Sequence, residues 1–458
     1  MLYTLFYKCI DFRIFGGCCM SRFSELLSFH IQNSGKNKVQ IAEAIGMPRT
    51  NLQKISTGSR RPQDEQTVEK IMNELILSVK DREELWEAYF NDTIGSNVYG
   101  EYRECMKLLN AFFVKSSSLL NISETTMLKT FPKEIMKLQS HVELIQALQI
   151  VFQQDLCIEK DKIYLLLQPD KSSLLHQILS LIRKYPNIPI EHVICFDHQN
   201  EVKMGYAQKN LKKMRNIIEL MLASTMYQAY CYYDHSDVHF GIASLFPNMI
   251  MIGEYLVCFD ETESNGFVTK NKDLYDMYHE KFLHIKNYAS HLFDRNQLLD
   301  IESFMSKQRY IIVYQPIMHM KKAHNDIIFY TKEGLVNFMN QAKYDCQEDD
   351  TLRRYTMLKQ LKDQMMIYGN IHVLKDMNLM LNEDGIFVFE VSHQYALYQL
   401  KEEGYSIKLK EQSILNAMYR FLCYLPNSVI CLSKEESREY MEALLQQYQL
   451  QHNIEGSS

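Results

Sequence analysis

The chain has 458 residues, of which 46 % are apolar and 23 % are charged, and its formal net charge is −6 at pH 7. This composition excludes long disordered stretches and a surface that is basic throughout, so nucleic-acid binding would have to depend on a local basic patch. The length allows about three domains of ordinary size.

The first 19 residues, MLYTLFYKCIDFRIFGGCC, are apolar but interrupted. Lys8, Asp11 and Arg13 break the run, whereas a secretory signal or a membrane span needs a continuous apolar stretch. The pattern favours an unstructured leader over residues 1–19, with Met20 as the working start. No other stretch is apolar over the roughly 18 residues of a membrane span, so we expect a cytoplasmic protein with no membrane contact.

The eleven cysteines are scattered along the chain and form no C-x-x-C pair. Most of them lie inside apolar runs, as Cys195 and Cys431 do. Such placement is typical of buried free thiols in a reducing compartment, and it disfavours a disulfide framework or a zinc–cysteine site.

From Ser21 to about Asn110 the apolar residues recur at helical spacing. The pattern predicts five or six short helices in an all-α region, with Gly35, Gly46 and Gly58 ending the first three. Ser78, followed three residues later by Asp81, predicts a capped start for the fifth helix. We expect a DNA-binding domain over residues 20–77 and a helical connector over residues 78–150.

Beyond residue 150 the pattern becomes mixed, and strands at 163–168 and 193–197 flank a helix at 173–185. A strand–helix–strand unit usually pairs its strands in parallel within an α/β layer. The other predicted strands are 249–259 (a hairpin around Gly253 and Glu254), 310–314, 326–330, 386–391, 405–409 and 429–432. The other predicted helices are 208–230, 272–293, 335–344, 352–368, 412–425 and one after Ser433, where Glu436 completes a capping box.

These elements predict an α/β domain over 151–300 and an α+β domain over 301–458, which would serve sensing or oligomerisation. The fold class expected for the whole chain is an all-α N-terminal domain followed by a large mixed α/β or α+β region. We expect the region from about residue 150 onward to fold independently. No short-period repeat is visible, and the strands disfavour an all-helical repeat array.

The most specific pattern lies between Lys36 and Pro62 and reads KNKVQIAEAIGMPRTNLQKISTGSRRP. Ala42 is small where a third helix would cross closely over the second, and Gly46 allows the left-handed turn between them. The apolar underside that would hold the two helices together consists of Ile41, Ile45, Leu52 and Ile55. The basic residues of this segment are Lys36, Lys38, Arg49, Lys54, Arg60 and Arg61, against one acid, Glu43, which makes a local balance of +5.

This arrangement resembles the phage-repressor-like, Cro/Xre-type helix-turn-helix family over residues 21–77. It departs from the family at Lys38, where glutamine usually contacts phosphate, and at Pro48, where serine is more common. The resemblance implies a bacterial transcriptional regulator with a lambda-repressor-like domain that binds double-stranded DNA.

By the same resemblance, the helix over 49–57 lies in the major groove. Arg49, Thr50 and Gln53 would contact base edges, because arginine can grip guanine and glutamine can grip adenine in bidentate fashion. For Asn51 and Lys54, a base contact and a phosphate contact both remain open. The residues expected to hold the DNA backbone are Lys36, Lys38, Thr57, Arg60 and Arg61. One such helix reads too few base pairs to select a single site, so we expect a homo-oligomer, most simply a dimer on two half-sites.

Other candidate sites are weaker. The cluster Cys231, Asp234, His235, Asp237 and His239 could suggest a metal site, but the flanking residues alternate as in a strand, which separates the two histidines. Asp170 and Asp197 each follow a strand, where α/β sheets bind ligands and where aspartates also begin turns.

No glycine-rich phosphate loop, G-x-S-x-G elbow or H-E-x-x-H pair is present. We therefore expect no catalytic residue, no metal and no cofactor, and a regulatory signal that could be a small molecule or a protein. The alternative left open is a cytosolic enzyme or ligand-binding α/β protein that uses its helix-turn-helix for autoregulation or localisation.

Overall fold

A computed structural model describes residues 20–113, 134–154, 162–169, 172–197, 207–234, 246–297, 310–313, 326–340, 350–375, 387–392, 394–400 and 405–452. The leader 1–19, Asp170, His235, Asp237 and His239 lie outside the described residues. The chain forms two compact units, of which the first ends at Tyr99 and the second begins at Gly100.

The described part of the first unit is entirely helical. Its helices are α1 (Arg22–Asn33), α2 (Lys38–Ala44), α3 (Arg49–Ser56), α4 (Glu65–Glu74), α5 (Val79–Thr93) and the first turn of α6 (Ser96–Phe113). The capped start predicted at Ser78 is confirmed, because Ser78 Oγ accepts from Asp81 N at 3.1 Å and the Asp81 carboxylate accepts from Ser78 N at 3.3 Å. The buried apolar residues of this unit are Phe23, Leu27, Ile31, Ile41, Ala42, Leu52, Ile55, Val68, Ile71, Met72, Leu75, Leu85, Ala88 and Tyr89.

The second unit contains two mixed sheets. The first sheet comprises β1 (Ile135–Leu138), β2 (Ile163–Leu166), β3 (Ile190–Asp197), β4 (Tyr227–Asp234), β5 (Asn248–Ile252), β6 (Tyr255–Phe259), β7 (Gly266–Thr269) and β8 (Ser290–His291), in the order β1-β7-β6-β5-β2-β3-β4-β8. The helices between these strands are α7 (His141–Gln154), α8 (Ser172–Lys184), α9 (Ala207–Ala223) and α10 (Lys272–Tyr288). β2 and β3 pair in parallel around α8, as the sequence predicted.

The second sheet comprises β9 (Phe293–Gln297), β10 (Tyr310–Val313), β11 (Ile327–Thr331), β12 (Ile371–Leu374), β13 (Phe387–Val391), β14 (Ala396–Leu400) and β15 (Tyr405–Leu409). Its strand order is β12-β11-β10-β13-β14-β15-β9. Its helices are α11 (Lys332–Asn340), α12 (Asp350–Tyr368), α13 (Gln412–Tyr424) and α14 (Lys434–His452). The coarse expectation is confirmed: an all-α N-terminal region precedes a mixed α/β region.

The two sheets repeat one topology. In each sheet, three strands that follow one another in the chain pair in parallel (β2, β3 and β4 in the first sheet, β10, β11 and β12 in the second). A three-strand antiparallel meander (β5, β6 and β7, or β13, β14 and β15) continues the sheet from the first of these strands. The strand that precedes them in the chain, β1 or β9, pairs with the last strand of the meander. The register also corresponds, since Met249–Cys258–Phe267 are paired across β5, β6 and β7 as Phe389–Tyr398–Ile407 are across β13, β14 and β15. The helices after the meanders also begin at matching positions, because the cap Asn271 follows Phe267 by the same number of residues as the cap Glu411 follows Ile407.

The two repeats share one continuous core. In the first repeat, α10 covers one face of the sheet through Phe282, and α7, α8 and α9 cover the other. In the second repeat, α13 occupies the place of α10, and α11, α12 and α14 cover the opposite face. α13 also packs on α9, where Asn210 Nδ2 donates to Ser413 Oγ at 3.1 Å.

Some predicted elements differ from the structure. The helix predicted over 208–230 ends at Ala223, and Tyr227 begins β4, because no glycine or proline marks the boundary and periodicity alone does not separate a short apolar strand from a helix. The predicted strand 429–432 is only a single bridge between Cys431 and Leu374. The predicted helical connector also contains β1, which pairs with β7 far along the chain. The hairpin at Gly253 and the capping box of α14 are confirmed.

The structure moves the expected start of an independently folding fragment from residue 150 to residue 100. Cys105, Leu108 and Leu109 of α6 are buried in the core of the second unit, and a Cβ on Gly100 would lie 2.4 Å from the Gln208 amide. We therefore expect a fragment of residues 100–458 to be soluble and to unfold cooperatively, whereas a fragment beginning at 150 loses this apolar cover and should aggregate. Circular dichroism and size-exclusion chromatography of both fragments check this, and equal behaviour would contradict it.

Candidate nucleic-acid interface

The turn between α2 and α3 is built by local chemistry. Asn37 caps α2, because its side chain accepts from the backbone of Gln40 and the Gln40 side chain accepts from Asn37 N. Gly46 follows with φ +68°, a left-handed conformation that favours glycine, and Met47 N donates to Ala42 O at 2.8 Å. Ala42 is buried, as its predicted place in the helix crossing requires.

The predicted recognition helix, α3, begins after Pro48 and ends before Gly58. Gly58 has φ +75°, and a Cβ added to it would lie 3.0 Å from Ser24 Oγ, so conformation and space both favour glycine at this position. Leu52, Ile55 and Ser56 form the buried face of the helix. The helix therefore has a fixed inner side and a defined outer side.

The three residues predicted to read bases all lie on the outer side. Arg49, Thr50 and Gln53 are exposed, as is Lys54, whereas Asn51 is half-buried. Because positions 49, 50, 53 and 54 share one face of an α-helix, their side chains can approach one groove together.

Lys38, expected to contact phosphate, is directed onto α3. Its Nζ donates to Gln53 Oε1 at 3.0 Å and to Ser56 Oγ at 2.8 Å. Ser56 Oγ in turn donates to Gln53 O at 3.0 Å. The first residue of α2 and the last turn of α3 are thus joined through one ammonium group.

Arg60 makes a similar contact from the loop after α3. Its Nη1 donates to Asn51 Oδ1 at 3.0 Å, and its backbone N donates to Lys54 O at 3.1 Å. The loop is therefore held against α3 at Asn51 and Lys54, the two residues for which a base contact and a phosphate contact are both open.

The other residues predicted to hold the DNA backbone, Lys36, Thr57 and Arg61, differ in their surroundings. Lys36 Nζ forms an ion pair with Glu74 at 2.8 Å, so one of its neighbours is an acid that the local charge balance did not include. Thr57 Oγ1 donates to the backbone oxygens of Gln53 and Lys54 at 3.0 and 3.2 Å, which makes it a cap of α3. Arg61 is exposed.

Sequence reasoning missed the part played by Ser56. This residue is fully buried, yet its hydroxyl carries the contact from Lys38. Its position one turn after Gln53 could have suggested a shared partner, because residues three apart in a helix are neighbours. Lys38 could not have been identified as that partner, since it comes from another helix.

The ligand candidates of the second unit have internal partners. Asp197 Oδ2 lies 3.3 Å from Nζ of the buried Lys213, which also donates to Cys195 O at 2.8 Å. Burial lowers the pKa of His192 to about 4, so its imidazole is neutral at pH 7 and lies within hydrogen-bond distance of Tyr227 and Leu167 O. Cys231 and Asp234 lie in β4, and the rest of their cluster lies outside the described residues.

Among the described helices, none is long and apolar enough to cross a membrane.

No protein-family model matches the chain, and no curated protein matches it.

Proposed function

We propose that the protein is a sequence-specific DNA-binding transcriptional regulator that reads double-stranded DNA through α3. The observation that carries the proposal is the two-sided character of α3. Its inner side is fixed by Leu52 and Ile55, while Arg49, Gln53 and Lys54 are exposed together on the outer side. A short helix with this division, following a tight turn from a capped helix, fits the major groove.

The charge of the segment supports the same proposal. The basic residues between Lys36 and Arg61 outnumber the acids six to one in a chain of net charge −6. Cations at such a patch release condensed counterions from DNA when they bind phosphate. The second unit would then serve as the cytoplasmic sensing or oligomerisation region, responding to a small molecule or a protein.

Two exposed arginines allow base contact and phosphate contact to be separated. Arg49→Ala should cost about 1–3 kcal/mol on DNA selected by the full chain from random duplexes, and less on a scrambled duplex. Arg61→Ala should weaken both duplexes about equally and lower the salt slope of binding by roughly one counterion. Fluorescence anisotropy over a salt series measures both quantities. Failure to enrich any sequence from the random pool would overturn the proposal.

The protein should also self-associate. Each mismatched base pair costs only about 1–3 kcal/mol, so two half-sites about 34 Å apart are needed for selection in a genome. Light scattering at micromolar concentration should report a dimeric mass, free or on selected DNA. A monomeric mass in both conditions would contradict this expectation.

A further inference from the structure

The two amide side chains of the recognition helix have their oxygens engaged by cations. Lys38 Nζ lies 3.0 Å from the Gln53 amide, and an ammonium group has only donors, so the atom it meets must be the carbonyl oxygen Oε1. The Gln53 NH₂ group is then turned away from Lys38. The same argument applies to Asn51, because Arg60 also has only donors and lies 3.0 Å from Oδ1.

This arrangement leaves the outer side of α3 rich in hydrogen-bond donors. Arg49 and Lys54 carry donors alone, and Gln53 presents its NH₂ group while one lone pair of its oxygen is taken by Lys38. The half-buried Asn51, beside this face, is held in the same way by Arg60. A glutamine that grips adenine must accept from N6 and donate to N7 at the same time. Gln53 in this state keeps a second lone pair on Oε1, but adenine N6 would have to approach it beside the Lys38 ammonium, whose positive charge disfavours a second donor there.

We propose that the recognition helix is preorganised to read guanine, with Lys38 as the positioning residue that disfavours adenine at Gln53. Guanine offers two acceptors in the major groove, N7 and O6, and so matches a surface on which donors predominate. This inference rests on the proposed DNA binding and replaces the expected adenine contact of Gln53 by a guanine contact. Arg49 keeps its expected partner.

Lys38 is held in place by more than Gln53. Its second contact, to Ser56 Oγ at 2.8 Å, is to a buried hydroxyl that is itself anchored on Gln53 O. Two of the three ammonium protons are thereby used, and the third can donate to a DNA phosphate. Binding phosphate and orienting Gln53 are therefore compatible for this one side chain.

The test combines selection from random duplexes with variants of the full chain. The unchanged protein should enrich guanine at the contacted positions, and replacing one of these guanines by 7-deazaguanine, which lacks the N7 acceptor, should weaken binding by about tenfold. Lys38→Met, which removes the donors and keeps the length, should shift one selected position from guanine toward adenine. Lys38→Arg retains donors and should restore guanine.

Lys36→Met is the matched control, because it removes a lysine two residues away whose ammonium pairs with Glu74 and not with an amide of α3. It should weaken all duplexes alike and leave the selected bases unchanged. Selection of adenine by the unchanged protein, or identical base preferences for Lys38→Met and the unchanged protein, would overturn the inference while leaving DNA binding intact. Selection of no sequence at all would instead overturn the proposed function.

Discussion

Leu52→Ala is expected to lower the free energy of unfolding of the first unit by about 2–5 kcal/mol and to weaken the DNA binding proposed for α3. Leu52 is completely buried on the inner side of α3, within the core that includes Ile41 and Ile55. Truncation removes apolar contacts and leaves a cavity between α2 and α3. Since a whole domain is stable by only about 5–15 kcal/mol, this loss is a substantial fraction of the total, and the turn that orients α3 should open more often.

The chain offers a local probe for this measurement. Trp86 is its only tryptophan and lies in the first unit, stacked on Phe90 at a centroid distance of 5.3 Å. Urea unfolding followed by tryptophan fluorescence therefore reports on the first unit within the full chain. Val79→Ala is the matched control, because Val79 is 78 % exposed and its truncation should change stability by less than about 0.5 kcal/mol. Equal transitions for the two variants would contradict the assigned core.

Arg420→Met is expected to lower the free energy of unfolding of the second unit. The loss should lie toward the lower end of roughly 3–5 kcal/mol, which is the range for removing one partner of a buried ion pair. Arg420 Nε and Nη2 donate to Glu101 Oε1 at 3.1 and 2.5 Å. The Glu101 side chain is 1 % exposed, so its carboxylate would lose the guanidinium while remaining away from water. Arg420 itself is 34 % exposed, and solvent can replace part of the lost interaction.

Far-UV circular dichroism during urea unfolding should show the shift, whereas the Trp86 transition should move much less. Arg438→Met removes an exposed arginine from α14 of the same unit and should be nearly neutral. Combining Glu101→Leu with Arg420→Met should recover part of the loss, because no buried charge then remains at the pair. If the double variant is less stable than Arg420→Met alone, the ion pair is not the cause.

Much of the first unit could be predicted because its signals are short in range. Gly46 and Gly58 end α2 and α3 through their own backbone conformation, and Ser78 and Asp81 cap α5 from three residues apart. The outer position of Arg49 and Gln53 follows from the burial of Leu52 and Ile55 by helix periodicity alone. These features need no knowledge of distant parts of the chain.

The repeated sheet topology of the second unit could not be predicted from such local patterns. Its two copies share a topology and a buried pattern, but their matched positions hold different residues, as Cys258 and Tyr398 illustrate. A buried strand requires an apolar side chain of suitable size and not a particular one, so duplicated sheets can lose visible likeness while keeping their register.

Local patterns in the residues were enough to specify the helices of the first unit, the side of α3 that faces outward and the mixed character of the rest of the chain. The tertiary structure was needed to show that β1 joins β7, that Arg420 meets Glu101 and that Lys38 engages the oxygen of Gln53. Helix periodicity, capping and glycine conformation act over a few residues and are legible in the chain. Pairing between distant strands and the direction of a long side chain depend on which surfaces meet after folding, and no local pattern encodes that.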